Sequence, residues 1–130
     1  MTRGWETIHG VIPAKSNCYK VARNKQGRYY MAKGDEMRRY ERDFVKQCKV
    51  YAGAGIGQEF ELYLRVYYPD YVHDLDNSLK GVLDCLQYAG AVVDDRFCIK
   101  IVATRHHDKA RPRIEYLINV PNYQTRLFEL

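Results

Sequence analysis

Residues 60–90 read FELYLRVYYPDYVHDLDNSLKGVLDCLQYAG and change from a strand pattern to a helix pattern within one stretch. Apolar positions alternate with polar or aromatic ones over residues 60–68, which predicts a long strand that stops at Pro69. Apolar residues then recur at three- and four-residue steps over residues 75–89, which predicts a helix with Gly90 as its natural end. A long strand followed directly by an amphipathic helix indicates a fold that contains both.

Similar patterns on either side of this stretch predict the remaining elements. They are a first strand over residues 5–12 ending at Pro13, a basic loop with a short hairpin over 16–33, an amphipathic helix from Asp35 to Tyr51 closed by glycines at 53, 55 and 57, and strands over 97–104 and 113–120 separated by a polar loop over 106–112. This order predicts an α+β fold with two helices against one mixed β-sheet. At 130 residues the chain is expected to form a single domain, 1–130.

Composition and cysteine placement exclude several classes of protein. Hydrophobic residues make up 46% of the chain, so enough apolar surface is available for a core, unlike in a disordered segment. No stretch approaches the ~20 apolar residues of a membrane span, so the chain is expected to be soluble, intracellular and cytoplasmic, without a membrane partner. The cysteines at 18, 48, 85 and 98 lack the C-x-x-C spacing of zinc and redox sites and are interpreted as free thiols.

Charge is distributed unevenly along the chain. The net charge is +5, yet residues 51–100 carry 8 Asp and Glu against 4 Lys and Arg, while residues 1–50 carry 12 basic residues against 5 acidic ones. A basic surface suits a polyanion such as nucleic acid. An acidic cluster on such a surface is explained if the carboxylates bind Mg²⁺. An ordinary basic protein with scattered charges remains the alternative.

Residues 73–95 contain the highest density of acidic side chains. Asp74 and Asp76 flank the predicted start of the second helix, where amide groups and the helix dipole favour negative charge. Asp94 and Asp95 follow the same helix. Because Mg²⁺ prefers oxygen ligands, several aspartates without His or Cys partners favour Mg²⁺, with Mn²⁺ as the alternative. The segment therefore predicts a divalent-metal site.

Lys80 lies four residues after Asp76, on the same predicted helical face, where its ammonium group could neutralise charge that develops on a phosphate. Each residue also has a simpler interpretation. Asp74 could only cap the helix, Asp76 and Lys80 could form a surface pair, and Asp94-Asp95 could be a solvated turn. A calcium loop of the EF-hand type starting at Asp74 is excluded, since its sixth and twelfth positions hold Leu79 and Cys85.

Taken together, the spacing of these residues resembles the signature of the RusA family of Holliday junction resolvases, D-x-D-N-x-x-K followed by D-x-L, A-G and D-D. The matching positions are Asp74, Asp76, Asn77, Lys80, Asp84, Leu86, Ala89, Gly90, Asp94 and Asp95. More loosely, Pro13, Ser16, Asn17 and Tyr19 resemble the early P-x-x-S-N-x-Y element of the family, and the strand around Glu115 resembles its C-terminal strand.

This resemblance implies a homodimeric, Mg²⁺-dependent endodeoxyribonuclease that resolves four-way DNA junctions by paired nicks and needs no small-molecule cofactor. Its metal-binding carboxylates correspond to Asp74, Asp76 and Asp95, with Asp94 as a possible fourth group, and its catalytic lysine corresponds to Lys80. Family members often carry several arginines just before the first aspartate. This chain departs from the pattern there, because residues 67–73 read YYPDYVH.

The basic residues of the first 50 positions are the candidate DNA contacts. The predicted set is Lys15, Asn17, Lys20, Arg38, Arg39, Arg42 and Lys46. One or two of the twelve tyrosines could stack on unpaired bases, and the sequence His106-His107-Asp108 is interpreted as an exposed polar turn rather than a metal cluster. Two rival functions stay open: a DNA-binding module without catalysis, and a nuclease that acts on flaps or on RNA.

Overall fold

The computed structural model describes residues 3–14 and 19–121. The elements are β1 (Glu6–His9), β2 (Tyr19–Arg23), β3 (Tyr29–Lys33), α1 (Asp35–Gln47), β4 (Phe60–Tyr68), α2 (Asp76–Tyr88), a 3-10 helix (Asp95–Phe97), β5 (Cys98–His107) and β6 (Arg113–Asn119). The predicted α+β architecture with two helices on a mixed sheet is confirmed. In the described ranges no helix has the length and apolar character that crossing a membrane requires.

Four strands form the main sheet in the order β1-β6-β4-β5, while β2 and β3 pair as a separate hairpin. β4 and β5 are parallel, and the other neighbours in the main sheet are antiparallel. A parallel pair needs a crossover connection, which α2 supplies. Tyr68 pairs with His107 and Phe60 pairs with Cys98. The loop before α2 therefore lies beside the C-terminal end of β5, and the 3-10 helix lies at the opposite end of these two strands.

Both helices cover one face of this sheet. Alternate residues of β4 are buried from Phe60 to Tyr68, as the period of two requires, and they form one core with residues of β1, β6 and both helices. Phe44 of α1 stacks on Tyr116 of β6 with ring centroids 5.8 Å apart. Both helices therefore present their remaining side chains to solvent on the same side of the molecule.

The opposite face of the sheet carries arginines that are already paired. Arg65 lies 3.9 Å above the Trp5 ring, and Arg113 lies 3.7 Å above the Tyr67 ring. The carboxylate of Glu115 pairs with both arginines, at 3.3 Å and 3.2 Å. Both arginines are therefore engaged within the fold, and they share one carboxylate.

Two predicted boundaries in the N-terminal half are wrong. The first strand ends at His9 rather than at residue 12, because Gly10 adopts φ +115 and donates its amide to Pro112. The first helix ends at Gln47 rather than near Tyr51. There the buried carboxylate of Glu6 accepts the amides of residues 49 and 50 at 2.7 Å and 2.8 Å, which replaces further helical bonds.

The predicted polar turn over residues 106–112 begins too early. His106 and His107 belong to β5, where they pair with Tyr67 and Tyr68 of β4. The His106 ring stacks on Tyr67 at 4.6 Å between centroids. Asp108 follows the strand and forms an ion pair with Arg113 at 2.8 Å, so these three residues have structural partners of their own.

Candidate active site

Asp74 and Asp76 lie where the chain leaves β4 and enters α2, and both are exposed. Asp76 is the first residue of α2. The position before it belongs to Leu75, and no side chain caps the helix there. Asp74 contributes its backbone carbonyl, which accepts the amide of Asn77 at 3.2 Å. The interpretation of Asp74 as a side-chain cap is therefore wrong, and its carboxylate remains available to a ligand.

The loop that presents Asp74 is held by the end of β5. Arg105 donates from Nη1 to the carbonyl oxygen of His73 at 3.1 Å. Nε2 of His107 lies 3.0 Å from the carbonyl oxygen of Pro69. The parallel register of β4 and β5 places these side chains beside the loop, so the position of Asp74 depends on a strand about thirty residues later.

Lys80 connects α2 to the segment after it. Its ammonium group lies 3.1 Å from Oδ1 of Asp84 and 3.3 Å from Oδ2 of Asp95. Asp84 is one helical turn further along α2, on the same face as Lys80. The Lys80 side chain is 46% exposed, so a phosphate can reach it from solvent.

Asp84 is the most perturbed carboxyl group near this lysine. Its side chain is only 13% exposed, and in the described part of the chain its Oδ2 atom has no hydrogen-bond partner. Burial, together with the negative charge of Asp95, raises the pKa of Asp84 to about 6. In the sequence, Asp84 matched a position of the family signature, but no role was predicted for it.

Asp94 and Asp95 behave differently although they are adjacent. The Asp94 side chain accepts the amide of Arg96 at 2.9 Å and also pairs with its guanidinium at 3.5 Å, so it is engaged in a local turn. The amide of Asp95 donates to Oε1 of Gln87 at 3.1 Å, which leaves the Asp95 carboxylate facing Lys80. Of the two, Asp95 is the better placed to act at a site on α2.

The structure brings Asp95 to Lys80, yet it does not gather all the predicted ligands. The Asp95 amide is anchored to Gln87 near the end of α2, while its carboxylate reaches Lys80, which lies about 6 Å after Asp76 along the helix at 1.5 Å per residue. Over residues 3–14 and 19–121, no three His, Cys, Asp or Glu side chains form a ready-made metal site. Mg²⁺ is often held by one or two carboxylates, with water and substrate phosphate completing the set. The exposed oxygen donors of Asp74 and Asp76 fit that chemistry.

The candidate DNA contacts lie mainly on the outer face of α1. Arg38, Arg39, Arg42 and Lys46 are exposed there, and Lys20 is exposed on the hairpin. The side chains of Lys15 and Asn17, also predicted as contacts, lie outside the described residues. Three of the arginines line one shallow depression together with Asp35.

A cleft between the hairpin and the two helices connects this basic face to Asp84. It is lined by Lys33, Asp84, Gln87 and Tyr88, and the adjoining depression is lined by Lys33, Tyr88 and residues of α1. Lys33 pairs with Glu41 at 2.7 Å and lies 5.4 Å from the centre of the Tyr88 ring. Sequence reasoning missed Lys33 and Tyr88. An exposed tyrosine in the last turn of α2 was the only available signal.

Comparison with models of protein families matches residues 11–119 of this chain to the family described as Endodeoxyribonuclease RusA. The match spans both helices, β4, the 3-10 helix, β5 and β6, and therefore includes every candidate catalytic residue. A comparison with curated proteins gave no match. Since the family match covers most of the chain and the fold has the expected helices on a mixed sheet, the chain belongs to the RusA endodeoxyribonuclease family.

Proposed function

We propose that this protein resolves four-way (Holliday) DNA junctions by paired symmetric nicks, with Mg²⁺ as its cofactor, during DNA recombination and repair. Family membership supports the class of enzyme and its branched DNA substrate. The observation that carries the proposal is the 3.3 Å pairing of Lys80 with Asp95. A lysine held beside carboxylates at an exposed helix face is suited to neutralising charge on a phosphate during phosphodiester hydrolysis.

Asp74, Asp76 and Asp95 are the residues that would hold the metal, with Asp94 as an outer group. A bound Mg²⁺ supplies an activated water and neutralises charge on the phosphate. Mn²⁺ satisfies the same donors. The ligands are oxygen atoms on exposed side chains at the start of α2 and on the segment after it, so they are accessible to DNA without any opening of the fold.

Lys80 stabilises negative charge on the phosphate as the phosphodiester bond breaks. Its position is set by two carboxylates, Asp84 on the same helix and Asp95 beyond it. These contacts restrict the long side chain before the substrate arrives, so less conformational freedom is lost on binding. In this proposal Asp84 positions Lys80 and touches neither the metal nor the DNA.

DNA contacts are assigned to the basic face of α1 and to the cleft that leads from it to Asp84. Arg38, Arg39, Arg42 and Lys46 would bind backbone phosphates, and Lys20 on the hairpin extends the same surface. Tyr88 is 54% exposed in the cleft and is the tyrosine best placed to stack on an unpaired base. The protein would act as a cytoplasmic homodimer, because one chain carries one copy of the site.

The deciding experiment is a nuclease assay on a four-way junction beside a matched linear duplex, a flap and an RNA duplex. We expect Mg²⁺-dependent cutting of the junction at two symmetry-related strands, abolished by EDTA and supported by Mn²⁺. Equal cutting of the linear duplex would contradict junction specificity. Preferential cutting of the flap or of RNA would favour the rival nuclease, and binding without cutting would favour a non-catalytic module.

A further inference from the structure

Arg105 in β5 is an exposed arginine attached to the loop that carries Asp74. It pairs with Val66 of β4, so its side chain emerges on the helix-covered side of the sheet, beside the start of α2. Its Nη1 atom donates to the carbonyl oxygen of His73, the residue directly before Asp74, at 3.1 Å. Its guanidinium also lies 5.9 Å from the centre of the Tyr71 ring. These contacts hold the cation at one place next to Asp74.

The charge of Arg105 is not neutralised within the described parts of the chain, where it forms no ion pair. Two acids of the adjoining segments, Asp70 and Asp108, have other partners. Asp70 binds Nδ1 of His73 at 2.8 Å, and Asp108 binds Arg113 at 2.8 Å. A guanidinium carries five N–H donors in one plane, and the bond to His73 uses Nη1 alone. The remaining donors can bind an anion.

An anionic substrate needs a cation at this end of α2. The exposed carboxylates of Asp74 and Asp76 repel an approaching phosphate, and residues 67–76 contain no lysine or arginine. Lys80 lies one turn into the helix and is already paired with two carboxylates. In the folded protein, Arg105 places a positive charge beside this segment, through a hydrogen bond to His73, 32 residues earlier in the sequence.

We infer that Arg105 binds a DNA phosphate beside Asp74 and so takes the part of a basic residue that the segment before Asp74 lacks. The inference rests on the proposed function, since it assumes that DNA reaches the start of α2. A planar guanidinium can grip a phosphate with two parallel hydrogen bonds, which fixes the phosphate as well as attracting it. Arg105 is therefore a substrate-binding residue that sets where the DNA strand enters the site.

The test measures junction binding rather than cleavage, in an Asp76→Asn background that keeps the DNA intact. We expect Arg105→Gln to weaken binding roughly tenfold and to reduce the slope of log affinity against log salt by about 0.9, the value for one lost phosphate contact. Lys109→Gln is the matched control, since Lys109 is an exposed cation just beyond β5. It should change affinity less than about twofold.

Arg105→Lys separates charge from geometry. A lysine keeps the charge but lacks the planar pair of donors. We therefore expect Arg105→Lys to have the same salt slope as the protein with Arg105, and an affinity between that protein and Arg105→Gln. A purely structural arginine would lower the midpoint of thermal unfolding while leaving the salt slope of Arg105→Gln at the parental value, and that result would overturn the inference. If protein with Asp76 restored bound junctions but never cut them, the nuclease proposal would be refuted. The inference about Arg105 would still be decided by the binding measurements.

Discussion

At the scale of single residues, Asp76 is the carboxylate whose removal tests the metal site most directly. It is exposed at the first position of α2 and is predicted to be a ligand. Asp76→Asn should lower the cleavage rate well beyond tenfold, equivalent to ~1.4 kcal/mol, while junction binding is preserved because repulsion of phosphate decreases. Single-turnover cleavage and a gel-shift titration measure the two effects separately.

Glu59→Gln is the matched control for this substitution, because Glu59 is an exposed acid just before β4, outside the proposed metal site and the basic face of α1. Cleavage by this control should remain close to the parental rate. Asp95→Asn should behave like Asp76→Asn. If Asp76→Asn retained more than about a tenth of the parental rate, direct ligation of the metal by Asp76 would be refuted.

Asp84 provides a prediction about stability. Its pKa is raised to about 6, so the folded protein favours the neutral carboxyl, and the free energy of unfolding should fall as pH rises from about 4 to 6. In metal-free buffer, Asp84→Asn should remove this fall and raise stability at pH 7.5 by about 1 kcal/mol, after allowance for the lost pairing with Lys80. Denaturant unfolding at pH 4 and at pH 7.5 measures the difference.

Asp43→Asn serves as the control here, since Asp43 is an exposed acid on α1. It should leave the pH dependence of unfolding unchanged. A parental profile already flat between pH 4 and 7 would show that Asp84 titrates normally. The same Asp84→Asn variant should slow cleavage, because Lys80 would lose one of the two carboxylates that position it.

At the scale of secondary structure, the two faces of α1 have different roles. Its inner face packs into the core through residues such as Met37 and Phe44, and its outer face is basic. The helix is terminated from outside by the carboxylate of Glu6, which accepts amides just past its end. The outer arginines therefore project from a helix whose inner face is packed into the core.

Replacing Arg39 and Arg42 of α1 by glutamine tests this surface. If each contacts one phosphate, the slope of log affinity against log salt should fall by about 1.8, and binding at physiological salt should weaken severalfold or more. Lys100→Gln is the control, because Lys100 lies on the opposite face of the sheet beside Tyr63. A double variant with the parental salt slope would exclude α1 from the interface.

At the scale of the whole molecule, the proposed reaction requires two active sites in one assembly. A four-way junction is resolved at two symmetry-related strands, whereas one chain has one copy of the Asp74 to Asp95 constellation. We therefore predict a homodimer of about twice 15.3 kDa, in which the second nick is intramolecular and fast. Sedimentation at the assay concentration measures the mass, and cutting of a supercoiled cruciform shows whether both nicks fall within one bound lifetime.

A monomer that makes single nicks would contradict the paired mechanism and favour the flap nuclease. Serial dilution provides the control for this prediction. Below the dimer dissociation constant, linear product from the cruciform should decrease and nicked product should increase. Resolution by a monomer at every concentration would refute the dimer.

The interpretation of residues 1–130 as a single domain also stays a prediction.

Local sequence patterns by themselves determined most of the elements. The alternation over residues 60–68 and the helical periodicity from Leu75 are properties of neighbouring residues, so they predicted β4 and α2 correctly. The spacing of Asp74, Asp76 and Lys80 likewise identified the family that the comparison confirmed. These features survive in the folded protein because burial of one face per element agrees with the local preference.

Only the tertiary structure decided where distant side chains meet. Glu6 accepts the amide of Lys49, 43 residues later and just past the end of α1. Arg105 reaches the loop before Asp74 through the parallel pairing of β4 and β5. The return of the chain after α2 placed Asp95 against Lys80, a contact between residues 15 positions apart. No local periodicity encodes such contacts, because they depend on strand register and on the direction of a crossover, both of which are fixed by packing of the whole core.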